Sequence, residues 1–362
     1  MKILFLGDIC TDTYIYDDVV KFKKTELYQY LKNYDGYIIG NLESPILEEN
    51  IIENKNKFSL LNKPSLFEMY DFCDAFTIAN NHIFDQDIDG YNRTIEFLEK
   101  NNKQFFGAGC NLKESRKPLK INIDNIIIYL FSYNCYSTNS EYDAKASSYG
   151  SSPLVYEYIE EDIKSGRKEA DYIFILPHWG IENEFYPTYE QVGFARRVIE
   201  LGADGIIGSH THTIQSFEIF NSKPIYYSLG NFLFNHFKVS NTETYYQHKF
   251  NKEGLIIELN INNSVKSNEI YIKLNDNMIP ELSDKNSLIT DIDSINKLHK
   301  EKTSDILHNN LEPNLSISLK YNGKNMQLVY TSNVLNQNKN IKYEKLKSKI
   351  KRVIIKTIKK LI

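Results

Sequence analysis

Short apolar runs alternate with amphipathic stretches over the first 230 or so residues, and this alternation restricts the fold more than any other feature of the chain. The runs occupy residues 3–6, 37–39, 75–78, 126–131, 172–176, 205–207 and 225–229. Most are continuously apolar, the pattern of strands buried on both faces. Between them, residues 91–100 put Thr94, Ile95 and Leu98 on one side of a helix. Residues 189–201 carry Val192, Ala195, Val198, Ile199 and Leu201 at helical spacing, with Gly202 following as a C-terminal cap. Strand–helix alternation predicts an α/β core with helices laid over the sheets.

The character changes after Phe234. Residues 235–250 are polar and rich in Tyr, and read as a loop. Residues 254–261 and 268–274 predict two consecutive strands forming a hairpin. Residues 276–340, rich in Asn, Ser, Asp and Lys, predict a small appended region with a helix over 292–308. Residues 341–362 hold nine Lys or Arg and one Glu, a charge of +8 that leaves −12 on the rest. Their apolar positions (343, 346, 350, 353, 354, 358, 361) recur at helical spacing. Such a basic amphipathic helix suits an anionic membrane surface or a partner, and equally suits docking on its own domain. The expected division is thus a core over 1–275, an appended region over 276–340 and a basic helix over 341–362.

A net charge of −4 argues against a general nucleic-acid binder. The four cysteines are far apart, with no C-x-x-C pair; nothing suggests a disulfide framework or a cysteine zinc site, and a reducing compartment is the natural reading. The apolar run at the N-terminus is too short for a signal peptide, and no stretch reaches transmembrane length. The expected location is the cytoplasm, either free or peripheral at the inner face of the membrane through 341–362.

The polar residues that carry chemistry sit just past the apolar runs. Run 3–6 leads to Gly7-Asp8, and run 37–39 to Gly40-Asn41-Leu42-Glu43. Run 75–78 leads to Asn80-Asn81-His82-Ile83-Phe84-Asp85, and run 172–176 to Pro177-His178-Trp179-Gly180-Ile181-Glu182. Run 205–207 leads to Gly208-Ser209-His210-Thr211-His212, and run 225–229 to Gly230-Asn231-Phe232. In α/β sheets ligands bind at the carboxyl ends of strands, so six such groups converge on one cleft. Four of the eight histidines lie in these groups. Carboxylates can bridge two cations, and neutral imidazole and an Asn carbonyl complete the shells without adding charge. His210 and His212, two apart on an extended segment, would point the same way and serve a close pair of metals. Such a pair clamps the attacking and leaving oxygens of a displacement.

Taken singly, these residues have plainer readings. Asp8 and Asn41 read as helix N-caps, His82 as a structural histidine, Trp179 as core or cleft wall, and Cys10 as a small buried hydrophobe. Arg196 and Arg197 read as a solvated helix face. The Tyr-rich segments 133–149, 184–189 and 245–250 read as cleft cover or as surface loops.

The ordered set GD, NLE, NNH-x-x-D, HWG-x-E, GAD-x-x-x-G-x-H-x-H and SLGNF-x-F resembles the CapA family, named for poly-γ-glutamate capsule synthesis, within the calcineurin-like metallophosphoesterase superfamily. The resemblance covers roughly residues 1–262, and Gly107-Ala108-Gly109 with Pro118 also resembles the family. It implies a sandwich of two mixed β-sheets flanked by helices, in α-β-β-α layers. It implies one or two divalent ions (Mn, Zn, Fe or Mg), with Asp8 and His212 at the first, Asn81, His178 and His210 at the second, and Glu43 in the bridging position. His82, oriented by Asp85, would donate to the substrate or leaving oxygen. Asn231 would orient a ligand or contact substrate.

The superfamily's usual D-x-H is here Asp8-Ile9-Cys10, and its GD-x-x-D is Asn41-Leu42-Glu43, departures the CapA family shares. The first metal therefore has one histidine fewer. Either Glu182 compensates, at the metal or beside the substrate, or one ion binds alone. Two functions follow: a phosphoester-type hydrolase in capsule or envelope polymer assembly, or a non-catalytic factor that binds an anionic polymer or supports a capsule synthase complex.

Overall fold

The computed structural model describes residues 1–51, 59–138, 140–238, 244–262, 264–308, 315–321 and 326–332. It divides into two compact units, Met1–Leu307 and His308–Ile362. In the second, strands Leu315–Tyr321 and Met326–Ser332 pair antiparallel. The division falls inside the region 276–340, and the basic helix expected over 341–362 lies outside the described residues. Among the described residues, no helix is long and apolar enough to cross a membrane.

Two mixed sheets form the core of the first unit. The larger runs Pro280–Leu282, Val265–Leu274, Glu253–Ile261, Lys2–Cys10, Tyr37–Leu42, Ala75–Thr77, Gln104–Phe106, and Asn231–Phe234 also pairs with Lys2–Cys10. The smaller runs Phe217–Phe220, Lys223–Tyr226, Gly205–Ile207, Tyr172–His178, Ile126–Asn134, Leu119–Ile123. In the smaller sheet the central strands are parallel and the two outer ones antiparallel; in the larger, Lys2–Cys10 to Gln104–Phe106 run parallel and the hairpin side pairs antiparallel.

The continuous apolar runs have the expected cause. Strand side chains alternate between faces, and both faces are covered. Ile3 and Phe5 pack between the sheets with Leu130 and Phe174 of the smaller sheet and with Leu255, Ile257 and Leu259 of the hairpin strand. Leu4 and Leu6 pack under Val19, Phe22, Leu31 and Leu98 of the helices Tyr16–Phe22, Glu26–Lys32 and Asp87–Lys100. Beyond the second sheet, Ile173 and Ile175 meet Ile159, Ile163, Val192 and Val198 of helices Tyr156–Gly166 and Tyr189–Glu200. Each such side chain, fully buried, contributes about 1.5–3 kcal/mol. The layers are helix, sheet, sheet, helix, as the resemblance implies.

The helix Tyr189–Glu200 starts at a capping box formed by Thr188 and Gln191 and ends before Gly202, whose φ is +112°. The hairpin expected over 254–274 is present as Glu253–Ile261 and Val265–Leu274. The segment read as a loop carries short paired strands, Phe237–Lys238 and Thr244–Tyr245, and a turn of 3-10 helix at Lys249–Lys252.

Arg196 corrects the solvated-face reading. Its residue is 8% exposed, and its guanidinium donates to both carboxylate oxygens of Glu218, at 3.1 and 2.6 Å. Sequence periodicity could not show this, because the covering elements, strand Phe217–Phe220 and helix Ile292–His308, arrive from later in the chain. Burial pushes the Glu218 carboxyl up, but His299, Arg196 and Tyr227 outweigh it and hold it down at about 2. A carboxyl lowered on folding stabilises above its ordinary value, and that stability is lost as pH falls toward the folded one. Glu218→Gln is expected to destabilise by about 2–3 kcal/mol at neutral pH, since it strands a buried guanidinium. Urea unfolding checks this, with the gap from wild type narrowing as the pH falls below the ordinary carboxylate range.

Candidate metal centre

The site begins with a close backbone approach. Asp8 is in register with Asn41 on one side and Asn231 on the other, and Asp8 N–H donates to Gly230 O at 3.0 Å. A Cβ on Gly7 would lie 2.1 Å from Gly230 O, so only glycine lets the Asn231–Phe234 strand come this near. Gly7→Ala is expected to cost roughly 3 kcal/mol through overpacking, and to lower the melting temperature accordingly. Asp8 and Asn41 thus lie inside strands, which removes the helix N-cap reading of both.

The two-histidine segment is not extended, contrary to the expectation from sequence. His210 has φ +95° and His212 φ +56°, left-handed conformations that cost a non-glycine residue of order 1–3 kcal/mol. The loop is over-determined by its neighbours. Asn183 N–H donates to Thr211 O at 2.8 Å, and Thr213 Oγ1 to Glu184 O at 2.8 Å. The two rings converge because the backbone is twisted, not because alternate residues of a strand share a face.

Two donor groups result, and Glu43 belongs to both: Asp8, Glu43 and His212, and Glu43, His178 and His210. His178 Nε2 stands 3.6 Å from Glu43 Oε1, 3.2 Å from His210 Nδ1 and 3.0 Å from Asn81 Oδ1. On the other side, His212 Nε2 is 3.7 Å from Glu43 Oε1, and its Nδ1 is 3.5 Å from Asp8 Oδ2. With metal–ligand bonds of about 2.1 Å, neighbouring donors in a tetrahedral or octahedral shell lie about 3.0–3.4 Å apart. The second group, at 3.0–3.6 Å, lies close to this spacing, and in the first the His212 Nε2–Glu43 separation, 3.7 Å, is somewhat wider.

Both carboxylates are fully buried. Asp8 accepts from Asn41 Nδ2 at 2.7 Å and from His210 N–H at 3.3 Å. Glu43 has no hydrogen-bond partner at either oxygen, and Asn41 Oδ1 also lacks one. Burial, and then Asp8, push the Glu43 carboxyl well up. Burial and the neighbouring histidines push His178 and His210 well down, which keeps them neutral, as metal ligands must be. At His212 burial acts downward, but hydrogen bonding to Asp8 and its charge prevail and raise it. A buried carboxylate pair, with both oxygens of Glu43 unmet, beside neutral imidazoles, fits a divalent cation: an unpaired buried charge costs several kcal/mol.

The remaining expected residues divide. His82 Nδ1 is 2.8 Å from Asp85 Oδ2, which also accepts from Leu60 N–H at 2.9 Å. Glu182 is exposed and belongs to neither donor group, so it supplies no replacement ligand here, although its charge acts on Glu43 and His212. Asn231 is fully buried with both amide atoms engaged, toward His212 Nδ1 and Asn251 O. That geometry suits a residue that would orient a ligand. Trp179 is core, donating to Tyr227 O at 2.9 Å, and Cys10 is a buried free thiol. In the Tyr-rich segments, Tyr142 stacks on Phe84, and Phe185 meets Phe250 edge-on. Sequence reasoning gave no role to Ser209, 2.9 Å from His178 Nδ1, and missed Asn251, which lies just past the segment read as loop.

The profile of the family described as "Bacterial capsule synthesis protein PGA_cap" matches residues 2–236. The PGA biosynthesis protein CapA of Bacillus subtilis is 29% identical over 239 residues, 64% of this chain and 62% of that protein. The capsule biosynthesis protein CapA of Bacillus anthracis is 27% identical over 251 residues, 65% of this chain and 60% of that protein. The chain therefore spans about three fifths of the length of these relatives. Among solved structures, a novel phosphatase from Mycoplasma pneumoniae is similar at TM-score 0.47 and 15% identity, over 82% of this chain and 98% of that one. Likenesses this loose carry no functional argument.

Proposed function

The chain belongs to the bacterial capsule synthesis protein family PGA_cap, and from that premise we propose that it is a divalent-metal-dependent, phosphoester-type hydrolase acting in assembly of a capsule or envelope polymer. The observation that carries the reading is Glu43, buried with both oxygens unpartnered between two donor groups. Asp8, Glu43 and His212 would hold one ion, and Glu43, His178 and His210 with Asn81 the other. Such ions, when bound, acidify water and offset the charge that develops on phosphoryl oxygens. Asn41 and the His210 backbone N–H fix the Asp8 carboxylate. Asp85 fixes the ring of His82, which would carry a proton or positive charge to the leaving oxygen.

A second reading has one observation in its favour: the relatives' names describe synthesis, and a Mycobacterium tuberculosis relative, 22% identical over 207 residues, is called a probable polyglutamine synthesis accessory protein. A non-catalytic factor in a synthase complex would fit those names. The two are separated by assaying purified protein, supplied with Mn²⁺ or Zn²⁺, on a panel of phosphomonoesters, phosphodiesters and γ-glutamyl peptides. Metal-dependent turnover of a phosphoester supports the hydrolase. Stoichiometric metal without turnover favours the accessory role.

A further inference from the structure

Asn251 joins the strained histidine segment to the strand beside Asp8. It is 1% exposed, and its side-chain Nδ2 donates to His212 O at 2.9 Å and to Asn183 Oδ1 at 2.9 Å. Its Oδ1 accepts from His248 N–H at 3.1 Å, closing the 3-10 turn it belongs to. Its backbone carbonyl accepts from Asn231 Nδ2 at 3.0 Å. The other amide atom of Asn231 faces His212 Nδ1 at 2.9 Å.

This chain of contacts leaves one assignment. A carbonyl oxygen only accepts, so the Asn231 atom that meets Asn251 O is the NH₂ group. The atom facing His212 is then the Asn231 oxygen, which also only accepts. His212 Nδ1 must therefore carry a hydrogen. The carboxylate of Asp8, 3.5 Å from the same nitrogen, makes the same demand. The lone pair of neutral His212 is left on Nε2, the nitrogen 3.7 Å from Glu43 Oε1. Histidines that bind metal commonly have the far nitrogen fixed in this way.

We propose that Asn251 is a positioning residue which, through the Asn231 amide and the His212 carbonyl, fixes His212 with Nδ1 protonated and presents Nε2 to the cation shared with Asp8 and Glu43. The proposal rests on the metal-binding reading above. His212 has a left-handed backbone, and the Asn251 side chain holds the carbonyl of that same residue. Ring and backbone are thus set from one point, on a segment outside both sheets.

Two measurements on the full chain test this. In metal-free, ¹⁵N-labelled protein, raised in pH until the His212 signals are those of a neutral ring, long-range ¹H–¹⁵N spectra report the His212 tautomer, with assignment by His212→Gln. Nδ1 protonated and Nε2 bare is expected, and the reverse tautomer overturns the assignment. Separately, Mn²⁺ titration by calorimetry compares wild type with Asn251→Asp, which keeps the acceptor for His248 but loses both donated bonds. One of two sites is expected to weaken about 10–100-fold, with the other unchanged. Identical isotherms overturn the role of Asn251. Should Asn251→Asp not fold, Asn183→Ala removes the exposed end of the same contact and should weaken the same site by a smaller factor. Unchanged binding there counts against the proposal. A wild type that takes up no Mn²⁺ contradicts the metal reading instead, and the tautomer measurement still decides the inference.

Discussion

Glu43→Gln is expected to purify without bound metal and to lose about three orders of magnitude in phosphoesterase rate, the scale of removing an electrostatic centre at reacting oxygens. The reason is its place in both donor groups. Its effect on stability has the opposite sign. Both oxygens of Glu43 are buried without partners, and burial with Asp8 pushes its carboxyl well above the usual range. The folded, metal-free protein therefore holds a proton that the unfolded chain releases. Stability of the metal-free protein falls as pH rises from the ordinary carboxylate value toward the raised one. Glutamine removes that slope. The metal-free variant should melt at or above the metal-free wild type, with the difference growing as pH rises, and added Mn²⁺ should stabilise only the wild type. Thermal melts across pH, with and without metal, read all three effects. A variant that retains two ions would remove Glu43 from the bridging position.

His82→Ala is expected to keep its metal and lose about 10²–10⁴-fold in rate, the range of a positioned acid or base. His82 is in neither donor group, so the loss should fall on turnover. Asp85→Asn should follow in the same direction with a smaller effect, because the His82–Asp85 contact orients the ring. The check is kcat on a phosphodiester beside metal content. An active His82→Ala enzyme, or one stripped of metal, contradicts the assigned role.

Much of this site was legible because strand ends are legible. The apolar runs located the strands, and the polar residues after them included every member of the two donor groups. The family resemblance added the bridging place of Glu43. The origin of the cleft was less legible. The six groups come from two sheets, Asp8, Asn41 and Asn231 from the larger and His178 from the smaller. Single-sequence periodicity has no term for which strands share a sheet.

The failures have a common physical cause, contacts between distant parts of the chain. The His210–His212 segment looked extended because spacing says nothing about positive φ, which here is imposed by Asn183, Glu184 and Asn251. Arg196 looked solvated because Glu218 and His299 lie 22 and more residues further on. Asn251 gave no local signal, and a lone Asn beside a polar, Tyr-rich stretch reads as a turn residue. A weak cue existed for Glu43: an acidic residue directly after a buried strand needs a counter-charge, and no Lys or Arg stands in its block.

The central claim, two cations sharing Glu43, is tested most directly by equilibrium dialysis of the metal-free protein against Mn²⁺ and Zn²⁺, with metal counted per chain. Two equivalents are expected in the wild type and none in Glu43→Gln. Absence of stoichiometric metal in the wild type, or two equivalents surviving in Glu43→Gln, would contradict it.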